Sequence, residues 1–276
     1  MPSYLESATE IAREAGSLLL QYLEKRPAFE IKGEQDLVTE ADRASEALIV
    51  QRLQQHFPSH SVVAEEGSGK DRQSEYCWYV DPLDGTTNFA HSYPAFCVSI
   101  GLQYQDELIA GVVFDPTRNE LFSAEKGSGA YCNNRRIRVS KATQVRESLL
   151  ATGFPSRKRH EDVNVYFFHQ MGVKAHGIRR SGSAAIDLAY VASGRQDGFW
   201  EFGLHAWDVA AGLVLVSEAG GAYSDMKGGK LLLNSPHLMA DNGLIHAEFL
   251  QDVGNVFEGR IHTPIPGLTP GAPVRY

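Results

Sequence analysis

Cysteine is scarce in this sequence: Cys77, Cys97 and Cys132 are the three in 276 residues, and no two stand at Cys-x-x-Cys spacing. An odd, dispersed set excludes a disulfide framework and a zinc knuckle, and it suits a reducing cytoplasm. Long apolar runs are missing as well. No stretch approaches the ~20 apolar residues that cross a bilayer, and Glu6, Glu10 and Arg13 fall where a signal peptide would need its apolar core. The expectation is a soluble, cytoplasmic chain with no membrane partner. Positive charge is outnumbered: the formal net charge is -8 and the pI is near 5.7. Nucleic acid is therefore not an expected partner, and a small anionic ligand would need local help. Repeats and low-complexity tracts are absent. GSGK (Gly67 to Lys70) lacks the upstream glycine and the following Ser/Thr of a phosphate-binding loop, so it reads as a surface turn.

What is present is the composition of an ordinary folded protein, 43% hydrophobic and 22% charged. The length suits two tightly joined halves, residues 1–139 and 140–276. Leu5, Ala8, Ala12, Ala15, Leu19 and Tyr22 recur at helical spacing and predict a helix from about Ser3 to Glu24. A second runs from near Thr39 to before Pro58, with Leu48, Ile49, Leu53 and Phe57 as its apolar stripe. Ser61 to Ala64 and Tyr76 to Val80 read as buried strands, and short apolar runs from Phe96 to Val139, broken by turn residues, read as an antiparallel meander. Beyond Ser140 strand and helix alternate: SLLAT, a helix near Asn164 to Gly172, GIRRS, a helix over SAAIDLAYVAS, DGFWEF, a helix over WDVAAGLVLVSEAGG, and AYSDM as the final strand. The closing HTPIPGLTPGAPVRY, with four prolines, is a frayed tail or an extended strap without assigned chemistry.

The segment WYVDPLDGTTNF (Trp78 to Phe89) ends an apolar strand in two aspartates three positions apart. Loops at strand ends carry function disproportionately. Two carboxylates this close resist ionising together unless a cation lies between them, and an oxygen-only donor set favours magnesium, calcium or manganese over zinc. Gly85 would let backbone approach a ligand, and amides at a helix start bind anions, so metal plus anion points to phosphate. A simple turn also accounts for Asp81 to Gly85. Further carboxylates join the set: Glu65 and Glu66 end the neighbouring strand, and Asp208 starts an apolar helix, where favouring the positive end of the dipole is an alternative role. Asp42, three after Thr39, fits a capping box.

DLVTEAD (Asp36 to Asp42), AEEG (Ala64 to Gly67), WYVDPLDGTTNF, GSAA (Gly182 to Ala185) and EFGLHAWDVAAG (Glu201 to Gly212) together resemble the inositol monophosphatase family of magnesium-dependent, lithium-sensitive phosphomonoesterases. The resemblance implies an α+β and α/β fold, a layered αβαβα sandwich, with the site in a cleft between the halves. It implies that Glu65, Asp81 and the Leu83 carbonyl hold one Mg2+ and that Asp81, Asp84 and Asp208 hold a second. A third ion near Glu65 and Mn2+ in place of Mg2+ belong to the same expectation. Thr86, paired with Asp42, matches the residues that orient and deprotonate the attacking water, with Glu65 beside them, and the Gly85 and Thr86 amides would cradle phosphate. Asp84, Gly182, Ser183, Ala184, Glu201 and Asp208 would line the substrate pocket. Glu201, six residues before Trp207, matches the glutamate that touches ring hydroxyls.

The implied activity is hydrolysis of a phosphate monoester by a magnesium-activated water, with inositol-1-phosphate, a phosphorylated polyol, as the first candidate substrate and a homodimer as the assembly. Histidinol phosphate, fructose-1,6-bisphosphate and 3'-phosphoadenosine phosphate or NADP are the competing esters. Glu201 would repel a second phosphate. A regulatory binding protein with a retained phosphatase site is the alternative of another class, since some bacterial relatives associate with the transcription machinery. His205 reads as an ordinary surface residue, Trp207 as core packing, and Arg179 and Arg180 as a solvated face. Lys32 sits one residue closer to DLVT than in some relatives, which leaves a role in a mobile lid open.

Overall fold

Ser3 opens the first helix with a reciprocal cap. Its hydroxyl accepts from the Glu6 amide at 3.1 Å, and the Glu6 carboxylate accepts from the Ser3 amide at 2.8 Å, which satisfies two of the donors a helix start leaves unpaired. The computed structural model describes residues 3–25, 29–31, 37–68, 73–154 and 162–264. The expectations for Lys32, for the end of the GSGK turn and for most of the proline-rich tail lie outside those residues. Helix α1 (Tyr4–Glu24) buries Ala8, Ala12, Ala15 and Leu19 as its periodicity predicts, with Leu5 and Tyr22 at the margin of the same cluster.

A short antiparallel pair, β1 (Phe29–Ile31) and β2 (Leu37–Thr39), leads into α2 (Glu40–His56). Ile49 and Leu53 are buried as expected, with Leu48 and Phe57 at the margin of the cluster, and Ala41 and Val50 are buried as well, but so are Asp42, Ser45 and Glu46. No apolar stripe announces that polar face.

Strands β3 (Ser61–Ala64) and β4 (Tyr76–Asp84), the short helix α3 (Thr86–Ala90), and strands β5 (Cys97–Tyr104), β6 (Glu107–Asp115), β7 (Glu120–Glu125), β8 (Gly129–Cys132) and β9 (Arg135–Arg136) come next. The seven strands β3 to β9 lie in one sheet in sequence order. From β4 onward every pairing is antiparallel, the expected meander, whereas β3 runs parallel to β4 with Ala64 beside Val80. That pairing brings Glu65 and Asp81 out at the same sheet edge.

The second half contributes β10 (Leu149–Thr152), α4 (Asn164–Lys174), β11 (Gly177–Arg179), α5 (Ala184–Ala192), β12 (Gly198–Phe202), α6 (Ala206–Glu218), β13 (Ala222–Ser224), β14 (His237–Asp241) and α7 (His246–Phe257). Its sheet order is β11-β10-β12-β14-β13, parallel at the β11, β10, β12 end and antiparallel where β14 joins β12 and β13. AYSDM is therefore not the final strand. β14 inserts between β12 and β13, and α7 follows it.

Three large apolar clusters stack the layers. One joins α1 and α2 to the seven-stranded sheet. The next joins α5 and α6 to both sheets, with Cys97, Val113 and Phe122 facing Ala185, Leu188, Val214 and Ala240. The last joins α4 and α7 to the outer face of the five-stranded sheet through Leu150, Phe167, Trp200, Phe249 and Val253. The result is the expected αβαβα sandwich, with α5 and α6 as its central layer.

Candidate active site

The register of β4 against β5 slips between Asp81 and Asp84: Asp81 faces Ser99 and Asp84 faces Cys97, so β4 holds one residue more than β5 there. Such a bulge re-aims side chains, and here it turns Asp81 and Asp84 toward one cleft. Asp81 is 2% exposed, and its Oδ1 accepts from the Leu83 amide at 3.0 Å. Gly85 then takes φ +101°, and a Cβ on it would lie 2.8 Å from the Ala95 carbonyl oxygen. Any side chain would be strained and would collide with backbone, so glycine is required where the chain turns into α3.

Asp42 serves two roles at once. Its Oδ2 accepts from the Thr39 amide at 2.8 Å and closes the cap of α2, while its Oδ1 accepts from the Thr86 hydroxyl at 3.1 Å. The Leu83 carbonyl also lies 3.1 Å from Thr86 Oγ1. One hydroxyl proton thus has two acceptors, and a cation on the Leu83 carbonyl would leave it to Asp42.

Asp84 links the end of β4 to the start of α5. Its Oδ2 accepts from the Ser183 hydroxyl and the Ala185 amide, both at 2.7 Å. Ser183 in turn caps α5, accepting from the Ile186 amide at 3.3 Å. Asp208 stands in the first turn of α6, where its Oδ2 accepts from the His205 amide at 2.7 Å. Glu201 lies on β12 and is 8% exposed, and a Cβ at Gly153 would fall 2.2 Å from its carboxylate oxygens. Only a glycine lets the Glu201 head group lie there.

Glu65, Asp81, Leu83, Asp84, Gly85, Thr86, Gly182, Ser183, Ala184, Glu201 and Asp208 all line one cleft of about 330 Å³. Asp42 reaches it through Thr86. A larger groove of about 1500 Å³ adjoins it at Gly203, Leu204, His205 and Trp207 but holds none of Glu65, Asp81, Asp84 or Asp208. The smaller space has the chemistry.

Burial, followed by the charges of Asp208, Glu66 and Asp42, pushes Glu65 up to about 8. Burial and the Asp84 charge push Asp208 to about 7. Asp84 rises to about 6 through burial, restrained by its Ser183 and Ala185 donors. Asp81 lies well above the usual carboxylate range through burial and then the Glu65, Asp84 and Asp208 charges. Carboxylates placed so share either protons or a cation. Among the described residues no three His, Cys, Asp or Glu side chains close around a common point. The donors nonetheless fit a hard divalent ion in kind, since they are all oxygens on one cleft wall, and Asp81, Asp84 and Asp208 are each anchored by a backbone amide. They do not fit zinc of the Cys/His type.

Several cleft residues are assigned no role from the sequence. Gly153, Phe154, Asp187 and Leu204 line the space, and so does Arg180, read from the sequence as solvated; its neighbour Arg179 is exposed on β11. Asp187, an acid inside an apolar helix, was the one readable sign. It accepts from Ser181 at 2.7 Å and Gln196 at 2.9 Å. Trp207 does both jobs: it packs against the Cys77, Tyr79 and Ala210 cluster and lines the cleft, stacked on His205 at 4.8 Å.

Layered sheets and a carboxylate-rich cleft at a strand bulge fit a phosphatase of the layered sugar-phosphatase type. Residues 1–258 match the inositol monophosphatase family, and the chain belongs to it. It is 47% identical over 255 residues to an inositol-1-monophosphatase of Synechocystis, covering 91% of this chain and 88% of that one. It is 45% identical over 250 residues to the Nus factor SuhB of Pseudomonas aeruginosa, covering 88% and 92%. Among solved structures, the inositol monophosphatase from Anabaena superposes with a TM-score of 0.83 at 42% identity, over 91% of this chain and 95% of that one.

Proposed function

We propose that the protein hydrolyses inositol-1-phosphate to inositol and phosphate, as a magnesium-dependent, lithium-sensitive homodimer in the cytoplasm. The observation that carries the substrate is Glu201, a buried carboxyl group at the cleft wall, suited to hydrogen-bond sugar-like hydroxyls. Among the described residues no helix is long and apolar enough to cross a membrane.

In this reading the 1–139 half supplies Glu65, Asp81, the Leu83 carbonyl and Asp84, and the 140–276 half supplies Asp208 and the polyol pocket. Two or three Mg2+ ions held by these groups, with Mn2+ as a substitute, would lower the pKa of a bound water and offset charge on the phosphoryl and leaving oxygens. Thr86 Oγ1 accepts a proton from the attacking water as it passes its own to Asp42 Oδ1, the acceptor it already faces. Glu65 flanks the same water. The water oxygen forms the new bond to phosphorus, the bond to the alcohol oxygen breaks, and that oxygen takes a proton from solvent. Amides of Gly85 and Thr86 hold the phosphate, and Gly182, Ser183 and Ala184 wall the pocket opposite.

The test is phosphate release from inositol-1-phosphate, histidinol phosphate, fructose-1,6-bisphosphate and 3'-phosphoadenosine phosphate, each with Mg2+, with chelator and with lithium. A Mg2+-dependent preference in kcat/KM for inositol-1-phosphate supports the reading. Preference for another ester keeps the hydrolytic site and removes the polyol assignment. A relative named as a Nus factor favours a second, regulatory role beside catalysis, tested by whether an Asp84→Asn protein without turnover still recovers a defined partner.

A further inference from the structure

Glu46 is fully buried, an expensive place for a carboxylate unless both oxygens are satisfied. They are. One oxygen accepts from the Glu66 amide at 2.6 Å and the other from the Ser68 amide at 2.8 Å, the short geometry of charge-assisted bonds. Both amides belong to the turn that leaves β3 directly after Glu65. The same turn is held from the other side by the Glu65 amide donating to the Val80 carbonyl at 3.2 Å. Glu65 is thus gripped through its own backbone and through its neighbour's.

Asp42, Ser45 and Glu46 occupy positions i, i+3 and i+4 of α2, one helix face. Asp42 accepts from Thr86, Ser45 donates to the Pro82 carbonyl at 2.8 Å, and Glu46 holds the 66–68 amides. One face therefore pins the three chain segments that carry Thr86, Leu83 and Glu65. We propose that Glu46 is a positioning residue for the reaction, fixing the turn so that the Glu65 carboxylate is aimed into the cleft. This rests on the assignment of Glu65 as a metal ligand.

Direct titration with Mn2+, read by electron paramagnetic resonance, tests it on the wild type, Glu46→Gln, Glu65→Gln and the double variant. Glu46→Gln keeps the volume but sets an NH2 group against a backbone N–H. The expected result is a loss of Mn2+ affinity of roughly 10- to 100-fold and a fall in kcat with KM unchanged. In the Glu65→Gln background the same change should cost less than about twofold, because residues acting through one another are not additive. Wild-type Mn2+ affinity in Glu46→Gln, or an equal loss in both backgrounds, overturns the inference. Should Glu46→Gln fail to fold, Ser68→Pro removes one donor from an exposed position and must weaken Mn2+ binding in the same direction; an unchanged affinity overturns the inference equally. If Glu65→Gln alone leaves Mn2+ binding intact, the ligand assignment falls and takes the positioning role with it.

Discussion

Gly111 is the most informative single position for testing how the fold holds Asp208. In the β5–β6 register Gly101 faces Gly111, and the two form a flat seat for α6. A Cβ at Gly111 would lie 2.5 Å from the Ala211 carbonyl oxygen and 2.8 Å from its Cα, while one at Gly101 would lie 2.7 Å from the Ala210 Cβ. Comfortable carbon contacts begin near 3.5 Å, so Gly111→Ala must push the start of α6 away by roughly 1 Å. Overpacking of this kind costs about 1–3 kcal/mol. The functional effect is larger, because Asp208 rides one turn before Ala211 on α6 while Asp81 and Asp84 stay on β4, and a displacement of about 1 Å at a reacting centre costs on the order of 100-fold. Urea denaturation and Mg2+-dependent phosphate release on the same preparation read both effects. Gly254→Ala is the control: it sits inside α7 with nothing within 4 Å of the added Cβ, so it should gain about 0.5–1 kcal/mol and leave turnover alone. A Gly111→Ala protein with wild-type midpoint and wild-type kcat would refute the reasoning.

Asp84→Asn should lower Mg2+-dependent turnover by roughly a hundredfold or more while a thermal melt stays close to wild type, because Ser183 and Ala185 still meet an oxygen; full activity at ordinary Mg2+ would contradict its role. Glu201→Ala should narrow the preference for inositol-1-phosphate over a simple alkyl phosphate by roughly 10- to 100-fold in kcat/KM, the worth of one or two hydrogen bonds to a charged group, and an unchanged ratio would remove Glu201 from the pocket. His246 Nδ1 donates to the Asp241 carboxylate at 2.7 Å, and that partner raises its pKa above the usual histidine value despite partial burial. Its stabilisation is complete below about pH 6.5 and is lost as pH rises through the raised folded value. Urea midpoints should therefore fall with rising pH through that window more steeply for wild type than for His246→Gln, and parallel curves would show that the pair contributes nothing.

Much of the fold was legible because its elements carry local periodicity: α1 through Ala8, Ala12, Ala15 and Leu19, and the meander through apolar runs broken at turns. The insertion of β14 between β12 and β13 was not, because strand order is decided by long-range pairing that no local pattern records. The motif residues share one cleft, as the resemblance of the whole set implies, although Asp81 to Gly85 taken alone also reads as a simple turn. The support around them was not legible. Glu46 and Asp187 are acids in helices whose buried faces are read from apolar residues, and only the solved partners, the 66–68 amides for one and Ser181 with Gln196 for the other, explain why they are tolerated.

The cleft itself depends on two departures from regularity that act together. Parallel β3 beside β4 brings Glu65 and Asp81 out at one edge, and the single extra residue in β4 turns Asp84 toward the second half, where Ser183 and Ala185 receive it. A regular antiparallel β4 would send Asp81 and Asp84, three apart, to opposite faces of the sheet. The bulge is thus what converts a spacing unsuited to a strand into two carboxylates on one wall. The glycine at φ +101° directly after it ends the strand before that alignment can be lost. Mutations that regularise this stretch should accordingly harm the site more than the fold, since the apolar cores lie above and below it while the carboxylates alone depend on its irregularity.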